Sequence, residues 1–148
     1  MLSILSDEHF MKEALKEAQY AYEEGEVPVG AVVVCQQRII ARGHNSTEHL
    51  NDVTAHAEII ALTAASEFLQ SKYLPDCTMY VTLEPCLMCA GALKWAQIGR
   101  LVFAAQDDKN GFMAVGKNIL HPKTQLSFGV HLEESSQLLK AFFKEKRK

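Results

Sequence analysis

Four residues of this chain have the types and spacing of a metal-assisted hydrolytic site: His56, Glu58, Cys86 and Cys89. A catalytic zinc takes three protein ligands and keeps its fourth position for water. His56, Cys86 and Cys89 make up that count. The two cysteines are three apart, so on a helix they share a face. His56 and Glu58 fall just after Thr54, which reads as the N-cap of a helix. Pro85 suits the start of a second helix, where its missing N–H has no intrahelical role. Two helix N-termini are thus expected to converge on one ion, and their partial positive charge favours the thiolates that bind it.

Glu58 distinguishes this set from a closed structural site, which would supply a fourth Cys or His. A carboxylate two residues from the His can accept a proton from an attacking water and deliver it to a leaving nitrogen. The His-x-Glu pair followed by Pro-Cys-x-x-Cys is the signature of zinc deaminases that replace an amino group of a nucleobase by oxygen. Three other readings of the same residues stay open: a structural zinc site, a helix His with two buried thiols and no metal, and a redox-active Cys-x-x-Cys pair.

The chain has 148 residues, 48% of them hydrophobic, which fits one domain with a real core. No apolar run approaches the roughly 20 residues of a membrane span, and the first ten residues are too short and acidic for a secretory signal. The remaining cysteines, Cys35 and Cys77, lie in strand-like runs and read as buried thiols, as in a reducing cytoplasm. A net charge of −3 is not that of a general nucleic-acid binder. Binding to RNA would need a local patch, and the dense basic run is Lys144 to Lys148, which also reads as an ordinary solvated helix end.

Periodicity places these residues on a frame. Residues 7–24 repeat apolar positions at three- and four-residue steps and predict a helix ended by Gly25. Residues 31–35 and 38–43 predict a β-hairpin. Residues 44–52 form a polar loop carrying Asn45 and His49, before a metal-bearing helix over 54–69. A strand over 77–83, a second metal-bearing helix over 86–98 closed by Gly99, and a strand over 100–105 follow. Residues 106–127 read as irregular with a helical turn within 114–120. A last strand over 128–132 and a helix over 133–146 complete the chain. The helix over 86–98 is apolar nearly all round, which calls for burial under the sheet or against a second subunit. This order predicts an α/β fold of three α-β-α layers: a five-stranded mixed sheet with helices on both faces, its site where helices begin beyond the strand ends.

The sequence resembles the cytidine-deaminase-like superfamily, and within it the bacterial tRNA-specific adenosine deaminases. The resemblance covers most of the chain. It is carried by Glu26-Val27-Pro28-Val29-Gly30-Ala31, Thr54-Ala55-His56-Ala57-Glu58-Ile59, the stretch from Tyr80 to Ala92 that contains Glu84-Pro85-Cys86-Leu87-Met88-Cys89, Ile98-Gly99-Arg100, and Phe142-Phe143 with its basic tail. It implies a single zinc-dependent deaminase domain over residues 1–148, one Zn2+ per subunit, a cytoplasmic homodimer, and conversion of adenosine to inosine at the wobble position of a tRNA anticodon stem-loop. It also implies His56, Cys86 and Cys89 as metal ligands, Glu58 as proton shuttle, Asn45 on the flipped base, and Asp107, Lys109, Phe143 and Arg147 beside the RNA. The residues themselves leave Asn45 open as a turn cap and Phe143 as core. The family pattern breaks at residues 104–118, where Phe112 and Met113 stand in place of small residues and are expected to reshape the substrate groove. The competing expectation is a deaminase of a free base or nucleoside, guanine or cytosine in type. Its C-terminal segment would cover the zinc instead of leaving an open groove.

Overall fold

The computed structural model describes residues 6–146. The first helix, α1 (Asp7–Glu23), starts at Ser6, whose hydroxyl accepts from the His9 N–H. Strands β1 (Gly30–Cys35) and β2 (Arg38–His44) form the expected antiparallel hairpin, followed by α2 (Ala57–Leu69), β3 (Cys77–Leu83), α3 (Leu87–Ala96) and β4 (Arg100–Ala105). Two single 3-10 turns, Phe112–Ala114 and Lys117–Ile119, stand in the irregular segment, and β5 (Gln125–Phe128) and α4 (Leu132–Lys146) close the chain. The five strands lie in the order β2-β1-β3-β4-β5. β1 is antiparallel to both neighbours, while β3, β4 and β5 are parallel. The β3-α3-β4 connection is the unit that carries the cysteines to the C-terminal end of the middle strand.

Helices cover both faces. Phe10, Met11 and Ala14 of α1 bury against Val32, Val34, Tyr80 and Val102 on one side, and α4 packs alongside, with Phe142 edge-on to Tyr22 at 6.2 Å between ring centroids. Ala57, Ala61 and Ala65 of α2, with Ala90 and Leu93 of α3, bury against Val33, Met79, Val81, Leu101 and Phe103 on the other. The alternation of Val32 and Val34 with Val33 is the period-2 pattern of a strand buried on both sides. α1 lies so close over β1 that a Cβ on Gly30 would come 2.1 Å from the Ala14 carbonyl oxygen. That contact is why a glycine ends the Val27-Pro28-Val29 run.

Four local expectations change. Residue 54 is not the N-cap of α2. The Thr54 hydroxyl and N–H both donate to Asp52 Oδ1 at 2.8 Å, so the loop uses them, and His56 itself caps the helix in extended conformation. Likewise Cys86 is the N-cap of α3, and Pro85 stands one residue before it, its carbonyl accepting from the Phe112 N–H. α3 ends at Gln97, in the left-handed region at φ 54°, and Gly99 serves instead to let the chain pass the Pro75 carbonyl, 2.2 Å from where a Cβ would sit. The last strand covers Gln125–Phe128, because its register is set by parallel pairing with β4. Gly129 at φ +97° and His131 at φ 56° then turn the chain into α4.

Asp7 ties the start of α1 to the sheet. Its carboxylate accepts from Arg100 at 2.8 and 2.7 Å and from the Tyr80 hydroxyl at 2.7 Å. The Arg100 hydrogen bonds hold its pKa below the ordinary 3.8. Because the folded value is depressed, the contribution is present above pH 3.8 and is lost as pH falls through the folded value. Asp7→Asn should therefore lower stability by about 1–2 kcal/mol at pH 7, reduced from the buried-pair range because the pair is part-exposed. Urea titrations should show the wild-type and variant curves converging below pH 3.8 and separated at pH 7.

Cys35 and Cys77 are free thiols placed directly opposite one another on β1 and β3. Burial pushes the Cys77 thiol up to about 12. Among the described residues no helix is long and apolar enough to cross a membrane.

Candidate active site

The N-termini of α2 and α3 meet where β2, β3 and β4 end and β1 begins. His56 and Cys86, as the two N-caps, and Cys89, one turn into α3, bring one ring nitrogen and two sulfurs within 4.8 Å of one another. His56 Nδ1 lies 3.6 Å from Cys86 Sγ and 3.5 Å from Cys89 Sγ. A tetrahedral zinc with Zn–S of about 2.3 Å and Zn–N of about 2.0–2.1 Å has N···S edges of about 3.5–3.6 Å. Both N···S distances therefore match the edges of a zinc tetrahedron, with Nδ1 as the ligating nitrogen. Their capping positions explain the arrangement. A capping residue is extended, so its side chain is free to turn off the helix end toward the ion. Sequence spacing does not reveal this, since it places His56 inside the first turn.

The thiols are electronically unequal. The hydrogen bond from Cys89 holds Cys86 down at about 5, and the same bond, with burial, pushes Cys89 up. One proton is thus shared on the pair, and it must leave for both sulfurs to bind a metal. Glu58 sits in the first turn of α2 and is buried. Burial pushes its carboxyl up to about 7, reinforced by charge on Cys86 and opposed by its backbone N–H and by Cys89. A carboxyl poised near neutrality is suited to taking up and releasing a proton.

These groups open into a cavity of about 510 Å³ whose wall includes Asn45, Thr47, Glu84, Asp107 and Asn110. Asn45 is buried at its wall, its backbone N–H bonded to the Val29 carbonyl. Asp107 reaches the wall, while its Oδ1 accepts from the N–H groups of Lys109 and Asn110 and so shapes its own loop. Lys109 is exposed and does not line the cavity. Phe143 is 45% exposed on α4, edge-on to Phe142, also off the cavity. Arg147 lies outside the described residues. His44 bonds to Glu17 and Glu24 at 3.2 and 3.1 Å, as a polar residue and not a metal ligand.

Phe112 does not reshape the groove. It is fully buried, edge-on to Phe103 at 6.4 Å, and Met113 packs against the same core. The bulk at these positions fills the interior beneath the loop. Sequence reasoning passed over Thr47 and Asn110 as cavity residues, since polar loop residues carry no periodic signal. It also passed over the buried Glu84, whose place beside Pro85-Cys86 was the available clue.

Comparison with known proteins places the chain. The model of the cytidine and deoxycytidylate deaminase zinc-binding region matches residues 5–105, which contain His56, Glu58, Cys86 and Cys89. The tRNA-specific adenosine deaminase of Aquifex aeolicus is 47% identical over 148 residues, covering 97% of each chain. The chain belongs to the tRNA-specific adenosine deaminase family. A solved structure from work on A-to-I editing by tRNA:A34 deaminases at the wobble position of transfer RNA superposes with a TM-score of 0.84 at 46% identity, over 88% of this chain and 99% of that one. The guanine deaminase of Nitrosomonas europaea shares the fold at a TM-score of 0.79 but only 25% identity, over 93% of this chain and 84% of that one. The family's five-stranded mixed sheet is the one described above, and zinc is the cofactor that the matched region and the donor set call for.

Proposed function

We propose that this protein is a zinc-dependent hydrolase that converts adenosine to inosine at the wobble position of a tRNA anticodon. The observation that carries the reading is the His56–Cys86–Cys89 triad at zinc-tetrahedron distances with the buried Glu58 beside it, at the floor of an open cavity. His56 Nδ1, Cys86 Sγ and Cys89 Sγ would hold the metal. Bound there, zinc supplies Lewis acidity that brings the pKa of water down to about 7. Glu58 takes a proton from the attacking water and gives it to the departing amino group, so that water and adenosine become inosine and ammonia. Asn45 offers one donor and one acceptor to the edge of a flipped purine. Asp107 and Lys109 stand on the loop that borders the anticodon, and Phe143 and Arg147 extend the RNA contact from α4 and the tail.

The cavity is open in the way an RNA substrate requires. None of the described residues of α4 lines it, so the C-terminal helix is no lid over the metal. That supports the RNA reading over a free-base enzyme closed by its C-terminal segment. All 148 residues work as one deaminase domain, in the cytoplasm, where four free cysteines are at home.

The same reading makes the active form a homodimer. α3 is not buried all round: Leu87 is 50%, Met88 39% and Trp95 78% exposed, with Phe68 of the adjacent α2 at 64%. An apolar face of this kind calls for a partner, and a second copy would set RNA-binding residues of both subunits near each cavity. Trp95→Glu should shift sedimentation from dimer to monomer at micromolar concentration with the fold retained. Unchanged sedimentation would place the dimer contact elsewhere.

Deamination assays on an anticodon stem-loop with adenosine at the wobble position, run beside free guanine, cytosine, cytidine and adenosine, test the proposal. Inosine in the stem-loop is the expected product. Ammonia from a free base alone would make the protein a nucleobase deaminase.

A further inference from the structure

Two carboxylates that no step above uses are buried, and each is bound by the backbone of a different loop that contributes to the cavity wall, one through Asn45 and Thr47 and the other through Asp107 and Asn110. Glu26 is 1% exposed. Its Oε1 accepts from the Glu48 N–H at 3.2 Å and the Thr47 hydroxyl at 3.4 Å, and its Oε2 from the His49 N–H at 2.7 Å. These donors belong to the loop that begins with Asn45. Glu84 is 4% exposed. Its Oε1 accepts from the Asp107 N–H at 3.0 Å and its Oε2 from the Met113 N–H at 2.9 Å. That loop carries Asp107, Lys109 and Asn110. It is docked so tightly on Glu84 that a Cβ on Gly111 would come 2.2 Å from the carboxylate.

Burying a carboxylate is unfavourable unless its oxygens are bonded. Here both oxygens of both residues are bonded, chiefly by backbone N–H groups, so each carboxylate ties an internally bonded loop to the body of the fold. A loop held through its main chain keeps its geometry whatever side chains it presents. Resting on the tRNA-deaminase reading, we propose that Glu26 and Glu84 are positioning residues. Glu26 fixes the loop that aims Asn45 at the flipped base, and Glu84 fixes the loop that sets Asp107 and Lys109 against the RNA. Both act through the loops: Glu84 reaches the cavity wall, but its two oxygens are engaged by the Asp107 and Met113 N–H groups, and those of Glu26 by the 47–49 segment. Glu84 also joins its loop to the segment bearing Cys86, so one rim of the substrate groove is registered directly on the metal centre.

Glutamine tests this with little change of shape. At either site it keeps one acceptor and replaces the other by an NH2 that faces a backbone N–H, in whichever orientation it adopts. For Glu26→Gln and Glu84→Gln the expected result is a KM for the stem-loop raised on the order of 10-fold, the size of losing one charge-assisted bond. kcat should stay within about threefold and zinc content should be unchanged. In a cycle with Asn45→Ala, the Glu26→Gln effect should largely vanish once Asn45 is gone, because the two act as a unit. Independent, multiplicative effects, or a lowered melting temperature with an unmoved KM, would make the glutamates merely structural and overturn the proposal. Should a variant fail to fold, amide hydrogen exchange on the wild-type protein decides. The Glu48, His49, Asp107 and Met113 amides should exchange slowly for loop positions, and rapid exchange would refute the clamps. Wild-type turnover in the same assay tests the functional reading separately. If the stem-loop is not deaminated, the cycle is run on whichever substrate is.

Discussion

Glu58→Gln should lower kcat on the stem-loop by on the order of 10²–10⁴, the range that a positioned proton-transfer group supplies. The variant should keep its zinc, since the three ligating atoms lie on His56, Cys86 and Cys89. It should also keep its fold. Burial opposes the ionised carboxylate, pushing the group up to about 7, so an uncharged isostere removes an unfavourable burial and leaves the melting temperature equal or higher. The pattern to look for is therefore full metal content, an unimpaired melt and a collapsed kcat. KM should move little, because Glu58 acts on protons in flight and not on the rest of the RNA. Single-turnover kinetics with metal analysis on the same preparation would check all three. Turnover near the wild-type rate would remove Glu58 from the chemistry.

The second large effect is on the metal. Cys86→Ala deletes one of the three ligating atoms; its side chain makes no capping hydrogen bond, so the loss falls on the metal. Zinc that binds only the folded chain stabilises it by on the order of 4 kcal/mol when free zinc stands a thousandfold above Kd. Losing it should lower the melting temperature by roughly 10 °C in a chain of this size. Metal content by mass spectrometry should fall to background and activity with it, and a chelator should move the wild-type melt in the same direction. Cys35→Ala, with the thiol on β1 away from the cavity, is the matched control and should retain its zinc. Full zinc occupancy in Cys86→Ala would contradict the ligand set.

How far these features could be read in the sequence follows from how local they are. The strands Cys77–Leu83 and Arg100–Ala105 stand where their apolar runs place them, because each is bounded by turn residues and buried on both faces. The ligand triad was legible for a similar reason, since Cys-x-x-Cys and His-x-Glu are short patterns whose geometry is set within one helical turn. What could not be read depended on a distant or competing partner. Thr54 has the type of an N-cap, but Asp52, two residues away, takes its hydroxyl. The last strand pairs with β4 from more than twenty residues away, and only that register fixes it at Gln125–Phe128. Phe112 looked like a groove residue until Phe103 accounted for it in the core. The burial of Glu26 and Glu84 could not be read either, since a carboxylate is rarely buried unless it is bonded and the bonding loops lie more than twenty residues on. The exposed Trp95 ran the other way: on a helix whose apolar faces called for burial under the sheet or against a second subunit, it faces outward within one chain.

The central claim is tested most directly by incubating the zinc-loaded wild-type protein with a wobble-adenosine stem-loop in 18O-labelled water and mapping the product by mass spectrometry. The account predicts inosine at the wobble position, one 18O on its base and one ammonia released per inosine. An unaltered stem-loop, with ammonia released instead from free guanine or cytosine, would contradict it.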